Sequence, residues 1–120
     1  MKRFCPKQVI TLRGPGTSYA RYPSYQIQIA TGITDKKSLQ LVSLHECAHI
    51  ISFKLYASDI SQLGKRMDAI YGRFPEGSEQ LADCMASAMG ADISRSGYRT
   101  KNCTGARADA ARKVLAGQKP

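Results

Sequence analysis

The stretch SLHECAHII, residues 43–51, contains His45-Glu46-Cys47-Ala48-His49, an H-E-x-x-H pattern. On a helix, side chains at i and i+4 share a face about 6 Å apart along the axis, so both imidazoles can converge on one ion at about 2.0–2.1 Å. Glu46, next to the first histidine, projects beside such a site rather than into it. A carboxylate there is placed to take a proton from water activated by the metal. The chain has two histidines, and both stand in this pattern. Imidazoles on an otherwise apolar helical face need partners for their nitrogens, and a metal ion supplies one.

A catalytic zinc uses three protein ligands and leaves one position open. Downstream lies Glu79-Gln80-Leu81-Ala82-Asp83, with Glu79 and Asp83 again at i and i+4. If their helix packs antiparallel to the motif helix, Glu79 closes a His/His/Glu set. Asp83, one turn on, then accepts a hydrogen bond from the non-ligating nitrogen of a histidine and fixes its tautomer. Glu76 and Asp83 itself are the alternative third ligands. The competing reading of these carboxylates is a solvated pair at a helix start, favoured there by the helix dipole.

HECAH, followed thirty residues after its second histidine by EQLAD, resembles the gluzincin branch of the zincin metallopeptidases. In that family a Glu of an E-x-x-A-D segment on a later helix completes the site. The resemblance spans about residues 36–93. It implies one Zn2+ per chain held by His45, His49 and Glu79, with Glu46 as general base and Asp83 orienting a ligand histidine. It also implies a sheet ahead of the motif helix whose edge strand binds an extended peptide, a role YQIQIA could serve. The chain departs from the family in its small size and in lacking a third histidine to stabilise the oxyanion. Tyr98, Tyr71 and Arg99 are the candidate donors for that charge.

The elements that must position these groups follow from periodicity. KQVITL is β-branched and apolar, and YQIQIA alternates Tyr25, Ile27 and Ile29 with Gln26 and Gln28, which predicts two antiparallel strands with the glutamine face solvated. RGPGTSYARYPS between them reads as a loop or hairpin connection. From Asp35 or Lys36 to about Tyr56 there is no Pro or Gly, and Thr34 or Asp35 is suited to cap that helix. A shorter helix is expected over Asp59 to Tyr71, interrupted by Gly64. A third runs from about Pro75 or Ser78 to about Ile93, and a last one, capped by Thr104, covers ARADAARKVLA and ends at Gly117. The expected fold class is therefore α+β: a minimal zincin-like domain with a short antiparallel N-terminal sheet and three to four helices.

With 120 residues, one domain is expected: strands over 1–34, a helical metal-site core over 35–94 and a basic loop and helix over 95–120. No apolar run approaches the roughly 20 residues of a membrane span. The basic start MKRFCPKQVITLRG is interrupted by Pro6, Lys7 and Arg13, so no export signal is read and a cytoplasmic protein is expected; a mature secreted chain would read the same. The formal net charge is +9, and its distribution is uneven. Residues 1–34 carry five basic groups and no acid, and 95–120 carry seven against Asp109 alone. The stretch 35–94 has six basic and eight acidic groups. Such flanks could contact nucleic acid or an acidic partner, or simply form a solvated basic surface. Cys5, Cys47, Cys84 and Cys103 show no C-x-x-C spacing, which argues against a zinc ribbon. Cys47 and Cys84 read as small buried hydrophobes, with Cys5–Cys103 or Cys47–Cys84 disulfides open to an exported chain.

Two functions are expected to compete. The first is a zinc metallopeptidase acting on a peptide or protein through metal-activated water and Glu46. The second is a non-proteolytic zincin-like module whose basic flanks bind nucleic acid or an acidic partner.

Overall fold

The computed structural model describes residue 5 and residues 9–13, 19–21, 26–30, 35–57, 59–73, 76–96 and 102–120, the strand residues by their backbone alone. Asp35 opens the first helix by accepting a hydrogen bond from the Ser38 amide at 2.9 Å, which satisfies one of the orphan donors of a helix start. With no Pro or Gly to break it, α1 runs Lys36–Leu55. Asp59 caps α2, Ile60–Tyr71, in the same way through the Gln62 amide at 3.0 Å. This helix passes through Gly64 without the expected interruption. It stops at Gly72, whose φ of 89° lies in the left-handed region open to glycine.

The third helix, α3, spans Gly77–Ala88 and stops short of the expected Ile93. Gly90, at φ 106°, reverses the chain, and the Ala91 amide donates back to the Ala86 carbonyl at 3.0 Å. A single 3-10 turn, Ile93–Arg95, follows. The last helix, α4, is Ala106–Leu115. Its cap is Gly105 at φ 57° and not Thr104, whose hydroxyl is engaged with the Asn102 side chain at 2.6 Å.

All three other helices pack on α3. Leu81, Ala82 and Met85 from α3 meet Ala48 of α1, Leu63, Met67 and Tyr71 of α2, and Ala110, Ala111 and Val114 of α4 in one buried cluster. The alanines remove side-chain bulk where helices meet, which brings their backbones close. A smaller cluster of Leu41, Leu44, Ala86 and Ala91 closes the other end of the α1–α3 contact. The two helices run antiparallel, since later residues of α1 meet earlier residues of α3.

The expectation of an α+β fold with an antiparallel N-terminal sheet is not supported. Helix accounts for 72% of the residues whose side chains are described, and none of those lies in a strand. In the first thirty residues the backbone follows three short extended segments: β1 at Val9–Arg13, β2 at Tyr19–Arg21 and β3 at Gln26–Ala30. The two segments expected to pair antiparallel, β1 and β3, lie parallel, with Ile10 opposite Ile27. The stretch read as a plain connection supplies β2, which pairs antiparallel with β3. A chain that leaves β1, runs back through β2 and turns again must enter β3 in the direction of β1, and this reverses the expected pairing. The solvated glutamine face lies outside the described side chains.

Two disulfides join the helices to the flanking segments: Cys5–Cys47, with Cα atoms 6.1 Å apart, and Cys84–Cys103, at 5.3 Å. Neither expected pairing occurs. Cys47 stands two residues from each histidine, about 200° around α1. The histidines face α3, so Cys47 points away from α3 and cannot reach Cys84.

Candidate metal centre

Antiparallel packing of α1 on α3 places His49 opposite Glu79 and His45 opposite both Glu79 and Asp83. The His45 Nε2 atom lies 2.8 Å from Glu79 Oε2, the His49 Nε2 atom lies 3.1 Å from the same oxygen, and the two Nε2 atoms are 3.1 Å apart. The circle through these three atoms has a radius of about 1.7 Å, shorter than a zinc–nitrogen or zinc–oxygen bond of about 2.0–2.1 Å, so one ion can touch all three atoms. Both histidines are buried and Glu79 is partly exposed. The His45–His49–Glu79 group could thus hold a metal ion, with one side toward solvent.

The tautomer of His45 agrees with that use. Its Nδ1 lies 2.7 Å from Asp83 Oδ1. A carboxylate only accepts, so Nδ1 carries the proton and Nε2 of the neutral ring presents its lone pair to the cluster. The other Asp83 oxygen accepts a hydrogen bond from the Ser96 hydroxyl, and both residues are buried. Ser96 is delivered by the 3-10 turn, where its amide donates to the Ile93 carbonyl at 3.0 Å.

His49 is held differently. Its ring stacks on Phe53, one turn along α1, with centroids 5.5 Å apart and an interplanar angle of 21°. Among the described residues its Nδ1 atom is buried without a hydrogen-bond partner. The Ser52 hydroxyl donates to the His49 carbonyl at 3.0 Å rather than to the ring.

The electrostatics show what the cluster wants. Burial disfavours charge on His45, but the Asp83 and Glu79 carboxylates at its two nitrogens outweigh it and raise its pKa to about 9. Burial alone would raise Glu79, yet the His45 and His49 rings hold it well below the usual carboxylate range. Three electron-pair donors within about 3 Å repel one another unless a proton or a metal ion lies between them. Glu46 is buried beside them, and that burial raises its pKa, partly offset by attraction to His49 and His45. A carboxyl raised from its ordinary value holds a proton more readily than a solvated one, as a group that takes and returns a proton must.

The remaining expected site residues fall elsewhere. Glu76 is exposed at the cap of α3 and outside the cluster, and Asp83 is committed to His45 and Ser96. Tyr71 is buried, and its hydroxyl donates to the Arg107 carbonyl at 2.6 Å, so that proton is already engaged between α2 and α4. Tyr98 and Arg99 lie outside the described residues. Ser96 is not legible as a site residue in the sequence, because nothing in SRSGYRTKN ties it to Asp83, thirteen residues earlier.

Comparisons of the chain with protein-family models, with curated proteins and with solved structures found no match. The reading of this centre therefore rests on its own geometry.

Proposed function

We propose that this chain is a zinc-dependent peptidase, with His45, His49 and Glu79 holding the ion. One observation carries the reading: three ligand atoms of suitable chemistry converge within about 3 Å, and a buried carboxyl, Glu46, stands beside them without belonging to the set. Two neutral imidazoles and one carboxylate match zinc's preference for nitrogen and oxygen donors at a catalytic site. Bound there, zinc would polarise the scissile carbonyl and acidify a water molecule.

The protein's own groups carry the proton. A Glu46 carboxylate oxygen takes it from the attacking water as the water oxygen bonds to the carbonyl carbon. Glu46 then delivers it to the amide nitrogen as the carbon–nitrogen bond breaks, releasing a carboxylic acid, which loses its proton to solvent, and an amine. Asp83, itself held by Ser96, keeps the His45 ring aimed at the ion throughout. The intact Glu46 favours this reading over a purely binding module with basic flanks, because a structural zinc site has no use for a spare buried carboxyl. The pairing of all four cysteines supports work in an oxidising compartment rather than the cytoplasm expected from the N-terminal sequence. Among the described residues no helix is long and apolar enough to cross a membrane.

Elemental analysis of protein purified without added metal, for wild type beside His49→Ala and Glu79→Ala, tests the site. About one zinc per chain, lost or much weakened in both variants, is the expected result. Glu46→Gln should then keep zinc and lose hydrolysis of an unstructured protein substrate by at least about 100-fold. Wild-type protein that takes up no zinc would remove the basis of the proposal.

A further inference from the structure

We infer that Asp68 and Gly77, two residues outside the metal cluster, position Glu79 by clamping the first turn of α3 against α2. This rests on the metal-site reading above and adds to it the device that sets the third ligand.

The start of α3 lacks a side-chain cap of its own. Its cap residue, Glu76, makes no side-chain capping bond; the Glu76 carbonyl takes the Glu79 amide at 2.9 Å, but the Gly77 amide ahead of it needs an acceptor from elsewhere. Asp68 of α2 supplies one. Its Oδ1 accepts a hydrogen bond from the Gly77 amide at 2.7 Å, a cap contributed by a neighbouring helix rather than by the chain just before the turn. A carboxylate at a helix N-terminus is favoured by the helix dipole as well as by the hydrogen bond.

Gly77 is what lets that bond form. It is buried, and a Cβ built there would overlap the Met67 carbonyl group and the Asp68 amide nitrogen. These are backbone atoms within the hydrogen-bonded α2 helix and cannot move aside cheaply. Only glycine permits α3 to start this close to α2. Met67 itself is fully buried in the shared core, so the surface against which Gly77 rests is rigid.

Glu79 lies two residues beyond Gly77, in the same first turn. Its carboxylate must reach across to α1 and meet two Nε2 atoms at 2.8 and 3.1 Å. The histidines are fixed to each other by the geometry of α1. The third ligand comes from a separate helix, and its placement depends on where that helix begins. Asp68 and Gly77 set that starting point, so they are positioning residues for the ion although neither touches it.

The experiment is zinc affinity by chelator competition, with zinc ion as the probe, on the full chain. The variants are Asp68→Ala, Asp68→Asn, Glu79→Gln and the double variant Asp68→Ala with Glu79→Gln. Melting curves of the zinc-free proteins are recorded alongside. Asp68→Ala should weaken zinc binding by about 10-fold, within the range typical of groups that orient ligands. Asp68→Asn, which keeps an acceptor oxygen, should bind nearly as wild type. On the Glu79→Gln background, Asp68→Ala should cause no further loss, because the ligand it positions is already gone. If Asp68→Ala does not fold, Asp68→Leu, which also lacks an acceptor, carries the same comparison. Wild-type affinity in Asp68→Ala, or an equal loss on both backgrounds, would overturn the inference while leaving the metal site standing. Failure of wild type to take up zinc would overturn both.

Discussion

His45 and Asp83 meet across the α1–α3 interface with Nδ1 and Oδ1 2.7 Å apart, and the second Asp83 oxygen accepts from Ser96. This chain of contacts decides which His45 nitrogen is free. In Asp83→Asn an amide N–H can face the ring, which favours the tautomer with Nδ1 as acceptor and puts a proton on Nε2. Zinc affinity should fall by about 10- to 100-fold. Ser96→Ala leaves the carboxylate in place but loosens it, and the expected loss is smaller, no more than about 10-fold. Chelator competition measures both. An Asp83→Asn protein with wild-type affinity would remove Asp83 from the site.

The metal-free protein should lose stability as pH rises. The His45 pKa is raised in the fold, from 6.5 to about 9, so its contribution is complete below about pH 6.5 and disappears as pH passes 9. Glu79 is shifted down, so its contribution is present above its ordinary value of 4.5 and is lost in acid. The zinc-free chain should therefore melt highest between about pH 5 and 6.5. The fall toward pH 9.5 should be no more than about 3 kcal/mol, the free-energy equivalent of the His45 shift. With zinc at the Nε2 atom that proton is displaced, and the decline above pH 6.5 should flatten. Melting curves with and without chelator test this; a zinc-free protein equally stable at pH 6 and 9.5 would contradict it.

Phe53 offers a separate handle on His49. The ring of His49 has a stacking partner but no hydrogen bond at Nδ1 among the described residues. Phe53→Ala should free the imidazole and weaken zinc more than it lowers the melting temperature of the zinc-free chain. Phe53→Tyr, which keeps the stack, should bind zinc as wild type. Equal zinc affinity in Phe53→Ala and wild type would show that the stack does not hold the ligand.

The disulfides close loops of sequence separation 42 and 19. Chain entropy alone assigns them about 4 and about 3 kcal/mol. Cys47 stands between Glu46 and the second histidine, and Cys84 follows Asp83. Reduction should lower the melting temperature sharply, and zinc should restore part of it, because the ion joins α1 to α3 independently of the sulfurs. Thiol titration of the denatured, unreduced protein should find no free cysteine. Four free thiols in fully folded protein would contradict the pairing.

The helices were legible because their signals are local. Asp35 and Asp59 start α1 and α2 as side-chain caps, and the absence of Pro and Gly carries α1 through both histidines. The sheet was not legible. An alternating stretch such as YQIQIA shows extended backbone, but the direction of its partner depends on the path between them, and β2 reversed it. The end of α3 was misplaced for a related reason: Gly90 closes the helix, although apolar residues continue beyond it.

The sequence by itself determined which atoms can gather at the centre. Spacings of i and i+4 put His45 beside His49 and Glu79 beside Asp83, since helical geometry depends only on neighbours in the chain. The tertiary structure decided what holds them there. Ser96 against Asp83, Asp68 against Gly77, Cys5 against Cys47 and Tyr71 against Arg107 are pairs distant in sequence. The first two exist because α3 packs against its neighbours at one register and one separation, and the last two tie α1 to the N-terminal segment and α2 to α4. That register is set by the fit of buried side chains and of one glycine, a property of all the helices together that no single stretch encodes.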